Sequence, residues 1–446
     1  MRENYWLRKV KHLSSFQVIL FGFLGVILLG ALLLMLPVSS SAGTVTPFSD
    51  AVFTSTSAVC VTGLVVRDTA RCWSLFGKFV IIALIQIGGL GVVTIAVTLT
   101  MFSGRRISLM QRSVLQESIS ASQVGGIVRL TQFILKVTFS IELIGAAVMY
   151  PVFCRDFGPV KGAGYALFHS VSAFCNAGFD LMGVREPFSS VTAYRANPVI
   201  NLTLMCLIII GGIGFLVWQD LVRNGLHFHR YRLQTKVAVT ASAVLIFAPA
   251  VWFFFAEFAG LPAGERFWAS LFQSVTARTA GFNTENLDAL SDSGKMLMIV
   301  LMLIGGSPGS TAGGMKTTTV MLLLASAAAA FTSRKDTILF RRRVEDGIVR
   351  RASAILTMYL ELFLLSAMII SRVEGIPLQT CMFETASALG TVGLTLGITT
   401  KLGWISRAIL IVLMFFGRVG GLTIIYAALG MHPHLAEYPH EDMMVG

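Results

Sequence analysis

The chain has 446 residues, of which 55% are hydrophobic and only 13% are charged. The charged share is about half that of an average soluble protein, so the composition excludes a soluble enzyme, a disordered protein and a small secreted disulfide scaffold. The formal net charge of +12 would favour a nucleic-acid partner in a soluble domain, but in a membrane protein it can reflect topology.

Eight apolar segments are long enough to cross a membrane, since a spanning helix needs about 20 apolar residues. The first is too long for the core of a signal peptide, and the sixth is interrupted by a glycine-rich stretch over 305–314. These segments predict an all-α integral membrane protein with eight transmembrane helices. The predicted spans cover 17–36, 74–101, 130–153, 198–221, 236–259, 295–330, 351–371 and 404–428.

The positions of lysine and arginine predict the orientation of these spans. More than half of the 35 basic residues lie on one side of an eight-span arrangement: in the N-terminal tail and in connections around 105–136, 223–236 and 334–351. We therefore expect both termini to be cytoplasmic. The positive charge is then explained without nucleic acid, and anionic membrane lipid can neutralise the remainder.

A short semi-polar segment recurs four times, between each odd-numbered span and the next. Each copy begins with a phenylalanine, continues with serine, threonine and alanine, and ends at a glycine: Gly63, Gly178, Gly281 or Gly393. Each even-numbered span contains a glycine cluster, at 88–91, 211–214, 305–309 and 417–420. Unrelated loops would not recur in this way, so we predict four parallel helix–pore loop–helix repeats.

The repeats divide the whole chain. Repeat 1 covers 1–104, repeat 2 with its preceding cytoplasmic loop covers 105–225, repeat 3 covers 226–333, and repeat 4 with a cytoplasmic tail covers 334–446. The recurring segments are too short and polar to span the membrane, and such backbone is tolerated only inside protein or beside a watery cavity. The repeats therefore predict one pseudo-fourfold pore.

The four glycine segments have the chemistry of a cation filter. Glycine adopts positive φ readily and can turn its carbonyl oxygen toward an axis. A ring of carbonyls replaces the hydration shell of a monovalent cation, and the C-terminal end of each preceding short helix also favours a cation. The segments lack a ring of acidic residues, so K⁺ is the first candidate and Na⁺ the second. The predicted K⁺-binding residues are Val61, Thr62, Gly63, Asn176, Ala177, Gly178, Thr279, Ala280, Gly281, Thr391, Val392 and Gly393.

The four segments, with QIGGLG at 86–91, RTAGFN at 278–283 and GTVGLT at 390–395, resemble the Trk/Ktr/HKT superfamily of potassium transporters over nearly the whole chain. Within it the chain looks most like KtrB, the membrane subunit of Ktr potassium uptake systems. The resemblance implies a multi-pass protein of the bacterial cytoplasmic (inner) membrane, a homodimer, and a cytoplasmic nucleotide-binding regulatory ring of the KtrA type. ATP or ADP would bind only on that partner, and Na⁺ is a candidate activator.

The glycine-rich stretch in the sixth span has two interpretations. The simpler one is a kinked helix, whereas the resemblance implies an intramembrane gating loop over 305–316. An arginine in the last span is costly in the membrane; it either pairs with a buried acid or, as the resemblance implies, belongs to the cytoplasmic-side barrier. The predicted gate residues are Gly305, Gly306, Ser307, Gly309, Ser310, Thr311, Gly313, Gly314, Lys316 and Arg418.

We predict structural roles for some of the other polar residues and no specific role for the cysteines. Glu384 occupies the repeat position of His169 and Gln273, and we expect this position to support the filter from behind by hydrogen bonds. We expect Arg278 to brace the third segment. The six cysteines have no metal-binding spacing, so we assign them neither metal nor disulfide.

The predicted function is a channel-like, K⁺-translocating subunit that is not an enzyme. The alternative is a secondary K⁺/Na⁺ or K⁺/H⁺ symporter with a site formed by broken helices. An alternating-access symporter would favour inverted repeats, whereas these repeats run parallel. A membrane-embedded enzyme would need a clustered catalytic set, and the sequence offers none.

Overall fold

The computed structural model describes residues 14–103, 107–119 and 125–429, mostly as helices. The first 13 residues of the predicted cytoplasmic N-terminal tail and the predicted cytoplasmic tail over 430–446 lie outside the described residues, as do 104–106 and 120–124. Two short strands, β1 (Ile338–Leu339) and β2 (Arg342–Arg343), pair antiparallel in the connection that follows the predicted sixth span.

The first half of the chain alternates long helices with short ones. Its helices are α1 (Ser15–Met35), α2 (Phe48–Val59), α3 (Thr69–Cys72), α4 (Leu75–Leu90), α5 (Val92–Phe102), α6 (Leu109–Ile119), α7 (Ile127–Phe157), α8 (Pro159–Phe174), α9 (Pro198–Ile213) and α10 (Phe215–Asn224).

The second half follows a similar order. Its helices are α11 (Leu233–Trp252), α12 (Ala263–Thr276), α13 (Asp292–Leu303), α14 (Thr317–Phe331), α15 (Asp346–Glu374), α16 (Leu378–Gly390), α17 (Trp404–Val419) and α18 (Gly421–Leu429). A π-helical turn over Phe253–Glu257 extends α11.

Side-chain caps define where the helices after the short segments begin. The Ser74 hydroxyl accepts a hydrogen bond from the Gly77 amide at the start of α4 (3.2 Å), and Ser291 accepts one from Gly294 at the start of α13 (3.0 Å). The Asn197 carboxamide caps α9 in the same way. These caps satisfy amide groups that have no partner within the helix.

Four continuous helical segments are long and apolar enough to cross a membrane: α1, α7, α15, and α11 with its extension. They coincide with the predicted first, third, seventh and fifth spans. The pairs α4/α5 and α9/α10 pass the same test together, but they are bent by 95° and 97°. By length and composition, the described residues thus contain four to six spans, and eight spans stays a prediction.

Each predicted even-numbered span is interrupted. The glycine-rich stretch predicts the break in the sixth span, whereas the hydrophobic pattern does not predict the breaks in the other three. Gly91 (φ 89°) separates α4 from α5, Gly214 (φ 106°) separates α9 from α10, and Gly420 (φ 88°) separates α17 from α18. Side chains disfavour this backbone region, so glycine is the residue that permits the break. In the sixth predicted span, the whole stretch 304–316 between α13 and α14 is non-helical.

Serine hydroxyls join the short helices to the long helices before them. Ser55 of α2, Ser170 of α8 and Ser274 of α12 have the same position in their segments. Each donates to a carbonyl of the preceding long helix, on Ile27 (2.7 Å), Glu142 (2.6 Å) and Ile246 (2.6 Å), respectively. Such bonds hold helices together where both faces are apolar. Thr385 of α16 instead donates within its own helix, to Cys381.

The core of the molecule surrounds the short helices. The phenylalanine of each recurring segment is at most 4% exposed: Phe53, Phe168, Phe272 and Phe383. By contrast, α1 presents Leu28, Leu29 and Leu32 to the outside with more than half of each side chain accessible. Polar segments lie inside and apolar helix faces lie outside, as expected for a protein surrounded by lipid.

Candidate functional site

The four predicted filter segments share one backbone conformation. In each, the residue two places before the glycine and the glycine itself both have positive φ. These φ values are 51° and 91° at Val61 and Gly63, 59° and 69° at Asn176 and Gly178, 65° and 77° at Thr279 and Gly281, and 51° and 92° at Thr391 and Gly393. Non-glycine residues rarely adopt positive φ, so its recurrence at one position marks a common structural requirement.

The four glycines come together in a closed cycle. A Cβ atom on Gly63 would lie 2.5 Å from the carbonyl oxygen of Ala177, and one on Gly178 would lie 2.8 Å from that of Ala280. The cycle continues in the same sense, with Gly281 against the Val392 carbonyl and Gly393 against the Thr62 carbonyl. Each glycine therefore touches the peptide that precedes the next glycine, and none of the four has room for a side chain.

Each of the four glycine segments follows a short helix and is hydrogen-bonded to it. Helices α2, α8, α12 and α16 end at or just before the residues with positive φ, so the partial negative charge of each C-terminus lies beside the cycle. One hydroxyl near the end of each helix bonds to the segment that follows. Ser57 and Ser387 accept from the Gly63 and Gly393 amides (3.0 Å each), whereas Ser172 and Thr276 donate to the Phe179 and Phe282 carbonyls.

The sequence interpretation did not single out these four hydroxyl residues. The signal that could have identified them is their recurrence at one position in all four segments. Their function is to satisfy backbone groups inside the protein, where an unmade hydrogen bond is costly. They thereby stabilise the left-handed conformation on which the glycine cycle depends.

The position after the phenylalanine bonds to the following stretch in the second and fourth copies, as predicted for it, and differs in the other two: the Thr54 hydroxyl of the first copy has no partner among the described residues. Glu384 accepts hydrogen bonds from the hydroxyls of Thr395 (2.9 Å) and Thr399, both in the stretch that follows Gly393. The Nε2 atom of His169 accepts one from the Leu181 amide (3.3 Å). Gln273 contacts the Met298 sulfur. The Arg278 guanidinium donates to Ser242 of α11 (3.0 Å).

The loop over 304–316 is hydrogen-bonded to the glycine clusters of other segments. Its Ser307 and Thr311 amides donate to the carbonyls of Gly212 (3.0 Å) and Gly211 (3.2 Å). The Gly314 amide donates to the Gly417 carbonyl (3.2 Å). The loop therefore lies between α9 and α17 and occupies a defined place.

The same loop abuts the fourth predicted filter segment. Gly313 lies against the Thr391 side chain, and a Cβ atom on Gly314 would come 3.0 Å from the Gly390 carbonyl. The hydroxyls of Ser307 and Thr317 are joined by a hydrogen bond (3.0 Å). Of the predicted gate residues, the structure places 305–316 in one loop directly beside the glycine cycle.

Arg418 connects this loop to helix α4. Its guanidinium donates to the carbonyl of Thr311 in the loop and to the carbonyls of Gly88 and Gly89 in α4. Among the described residues, no carboxylate lies within ion-pair distance of Arg418. The Lys316 amino group donates to the Ala312 carbonyl (2.8 Å), so a second basic side chain is held by the same loop.

A cavity of about 330 Å³ adjoins these two basic residues. Its lining includes Ser310 and Gly309 of the loop, and Glu117 of α6. The described residues contain no group of three or more histidine, cysteine, aspartate or glutamate side chains arranged to hold a metal ion.

The helical fold and the buried meeting of four glycine segments define a multi-pass membrane protein. A family model described as "Cation transport protein", TrkH, matches residues 5–436. The chain is 40% identical to the potassium/sodium uptake protein NtpJ of Enterococcus hirae, with 98% of each chain covered. It is 37% identical to the Ktr system potassium uptake protein B of Bacillus subtilis, with 96% of each covered.

A third relative, the Ktr system potassium uptake protein B of Vibrio alginolyticus, is 36% identical over 96% of this chain and 94% of its own. The crystal structure of the potassium transporter TrkH from Vibrio parahaemolyticus shares the fold, with a TM-score of 0.69, 20% sequence identity, and coverage of 91% of this chain and 84% of that one. The chain belongs to the TrkH family of cation transport proteins, which confirms the resemblance to the Trk/Ktr/HKT superfamily. The family consists of transporters.

Proposed function

We propose that this chain is the channel-like, K⁺-translocating subunit of a Ktr-type uptake system. The observation that carries the proposal is the closed cycle in which each filter glycine touches the peptide before the next glycine. Four equivalent peptides around one point offer carbonyl oxygens to a dehydrated monovalent cation. The names of the relatives support K⁺ as the cargo, since two are potassium uptake proteins and one is a potassium/sodium uptake protein.

The loop over 304–316 acts as the gate in this proposal, together with Arg418. Its bonds to the rest of the protein include single hydrogen bonds with Gly211, Gly212, Gly417 and Phe215, the bonds of the Thr311 hydroxyl, and those of the Arg418 guanidinium. A neutral hydrogen bond contributes about 1 kcal/mol net, so a few such bonds can be exchanged for others at modest cost. The charge of Arg418 opposes a cation while the loop is in place.

A cytoplasmic nucleotide-binding ring of the KtrA type regulates the gate in this proposal, with ATP or ADP bound on the ring. The relatives named as part of a Ktr system support a partner subunit. The proposal also includes a homodimer in the bacterial cytoplasmic membrane, cytoplasmic termini, contact with lipid, and Na⁺ as an activator.

The second candidate is a secondary symporter that couples K⁺ to Na⁺ or H⁺. The name of the Enterococcus relative, which includes sodium, favours keeping it. A symporter would require a co-ion gradient for net K⁺ movement, whereas a channel-like subunit passes K⁺ down its own gradient.

Flux from proteoliposomes containing this chain alone tests the proposal. Concentration-driven uptake of K⁺ and Rb⁺ that exceeds uptake of Na⁺ and Li⁺ supports the channel-like subunit. Flux that strictly needs a co-ion gradient contradicts it and supports the symporter. Absence of flux both with this chain alone and after addition of the cytoplasmic ring contradicts both candidates.

A further inference from the structure

One filter residue is bonded to the loop as well as to a neighbouring filter segment. Asn176 lies two places before Gly178, has a φ of 59° and is 1% exposed. Its Oδ1 atom accepts a hydrogen bond from the hydroxyl of Thr311 in the loop (3.1 Å). Its Nδ2 atom lies 3.4 Å from two acceptors of the third segment, the Arg278 carbonyl and the Thr279 hydroxyl.

Thr311 has a second acceptor in the same filter region. Its hydroxyl lies 3.0 Å from the carbonyl oxygen of Phe174, the last residue of α8. A hydroxyl has one proton to donate, so the Phe174 carbonyl and the Asn176 carboxamide share it. Thr311 and Phe174 are fully buried, and Asn176 is 1% exposed.

This arrangement breaks the fourfold pattern. The residues equivalent to Asn176 are Val61, Thr279 and Thr391, none of which has a carboxamide. Among these four side chains, Asn176 therefore has its donor and its acceptor on separate atoms, which can bond in two different directions. The loop and the second and third segments meet at that side chain.

We propose that Asn176 is a positioning residue that makes the ion preference of the filter depend on the loop. The inference rests on the proposed function. With the loop in place, Thr311 orients the Asn176 carboxamide, which holds the second and third segments in register. When the loop moves away, Asn176 loses this donor and is free to reorient, and the two segments loosen. A looser ring adapts more easily to the smaller Na⁺ ion, so preference for K⁺ falls.

Substitutions at Thr311 test the coupling through the ratio of K⁺ to Na⁺ basal flux in proteoliposomes, measured without the cytoplasmic ring so that the loop stays in place. Thr311→Val removes the hydroxyl at similar volume, and we expect it to lower the ratio by about fivefold, the size of effect of one hydrogen bond. Thr311→Ser keeps the hydroxyl and should stay within about twofold of the unmodified chain. Thr357→Val is the matched control, because Thr357 is exposed on α15, far from the loop in the chain, and its hydroxyl bonds to the Ser353 carbonyl of the same helix.

A purely local gating role for Thr311 predicts a different result. In that case Thr311→Val would raise K⁺ and Na⁺ flux by the same factor and leave the ratio unchanged, which would overturn the coupling. Absence of K⁺ flux in the unmodified chain, alone and with the cytoplasmic ring, would reject the proposed function itself. The two failures are therefore distinguishable in the same vesicles.

A double-mutant cycle supplies an independent arm should Thr311→Val fail to give a monodisperse protein. Asn176→Leu removes the carboxamide at similar size, and we expect it to lower the flux ratio as well. The double variant Asn176→Leu/Thr311→Ala should lower the flux ratio by less than the product of the two single-variant factors. The reason is that both substitutions remove the same bond, the one between Thr311 and Asn176. Single effects that multiply fully would show independent action and overturn the proposal.

Discussion

Gly393 packs against the carbonyl oxygen of Thr62, and this contact joins the last glycine segment to the first. The other three contacts of the cycle each join one segment to the next along the chain. Without this fourth contact the segments would form an open row. With it they enclose a point to which each segment contributes the same kind of peptide group.

The filter assignment predicts that a serine at Gly281 or Gly393 reduces potassium selectivity. A side chain at either position would overlap the carbonyl of the neighbouring segment and force the ring apart, so we expect the K⁺/Na⁺ flux ratio to fall about tenfold. Gly164→Ser is the matched control, since a Cβ atom there meets nothing within 4 Å. An unchanged ratio in both filter variants would contradict the assignment.

The gate assignment predicts that deletion of residues 307–313 raises basal Rb⁺ flux in the absence of a cytoplasmic partner. The deletion removes the amides that bond to Gly211 and Gly212, so we expect at least a tenfold increase. Size-exclusion chromatography establishes that the shortened chain is intact. A monodisperse deletion variant with less flux than the unmodified chain would show that the loop is needed for conduction rather than for closure.

Arg418→Ala should also raise basal flux, by about tenfold. The substitution removes charge-assisted bonds to Thr311, Gly88 and Gly89, and bonds of this kind contribute about 1.5–3 kcal/mol each. Arg372→Ala, an exposed arginine near the end of α15, controls for loss of an arginine and should leave flux unchanged. An Arg418→Ala chain that is merely unfolded would instead indicate a structural role.

The serine bonds between helices predict an effect on stability. Ser170→Ala breaks the buried bond to the Glu142 carbonyl and should lower the free energy of unfolding by about 1 kcal/mol. Ser353→Ala loses only an exposed bond within α15 and should change it by less than about 0.5 kcal/mol. Unfolding in detergent measures both, and equal effects would mean that the interhelical bond contributes nothing.

Much of this protein can be predicted from the order of its residues. Membrane-spanning segments can be predicted from composition alone, because polar groups are costly to bury in lipid and a spanning helix must therefore be long and apolar. The recurrence of phenylalanine, hydroxyl residues and glycine identified Gly63, Gly178, Gly281 and Gly393 as equivalent before any contact was known. Such a repeat can be recognised in the sequence because each copy is one short, continuous stretch of residues.

Only the tertiary structure decided how the copies meet. The bends at Gly91 and Gly214 follow from positive φ, which glycine permits but does not require. The bonds from Arg418 to Thr311 and from Thr311 to Asn176 join residues far apart in the chain. Hydrophobic periodicity reports which face of a segment is buried, but it carries no information about which distant carbonyl a buried donor will reach. That choice is made when the helices pack.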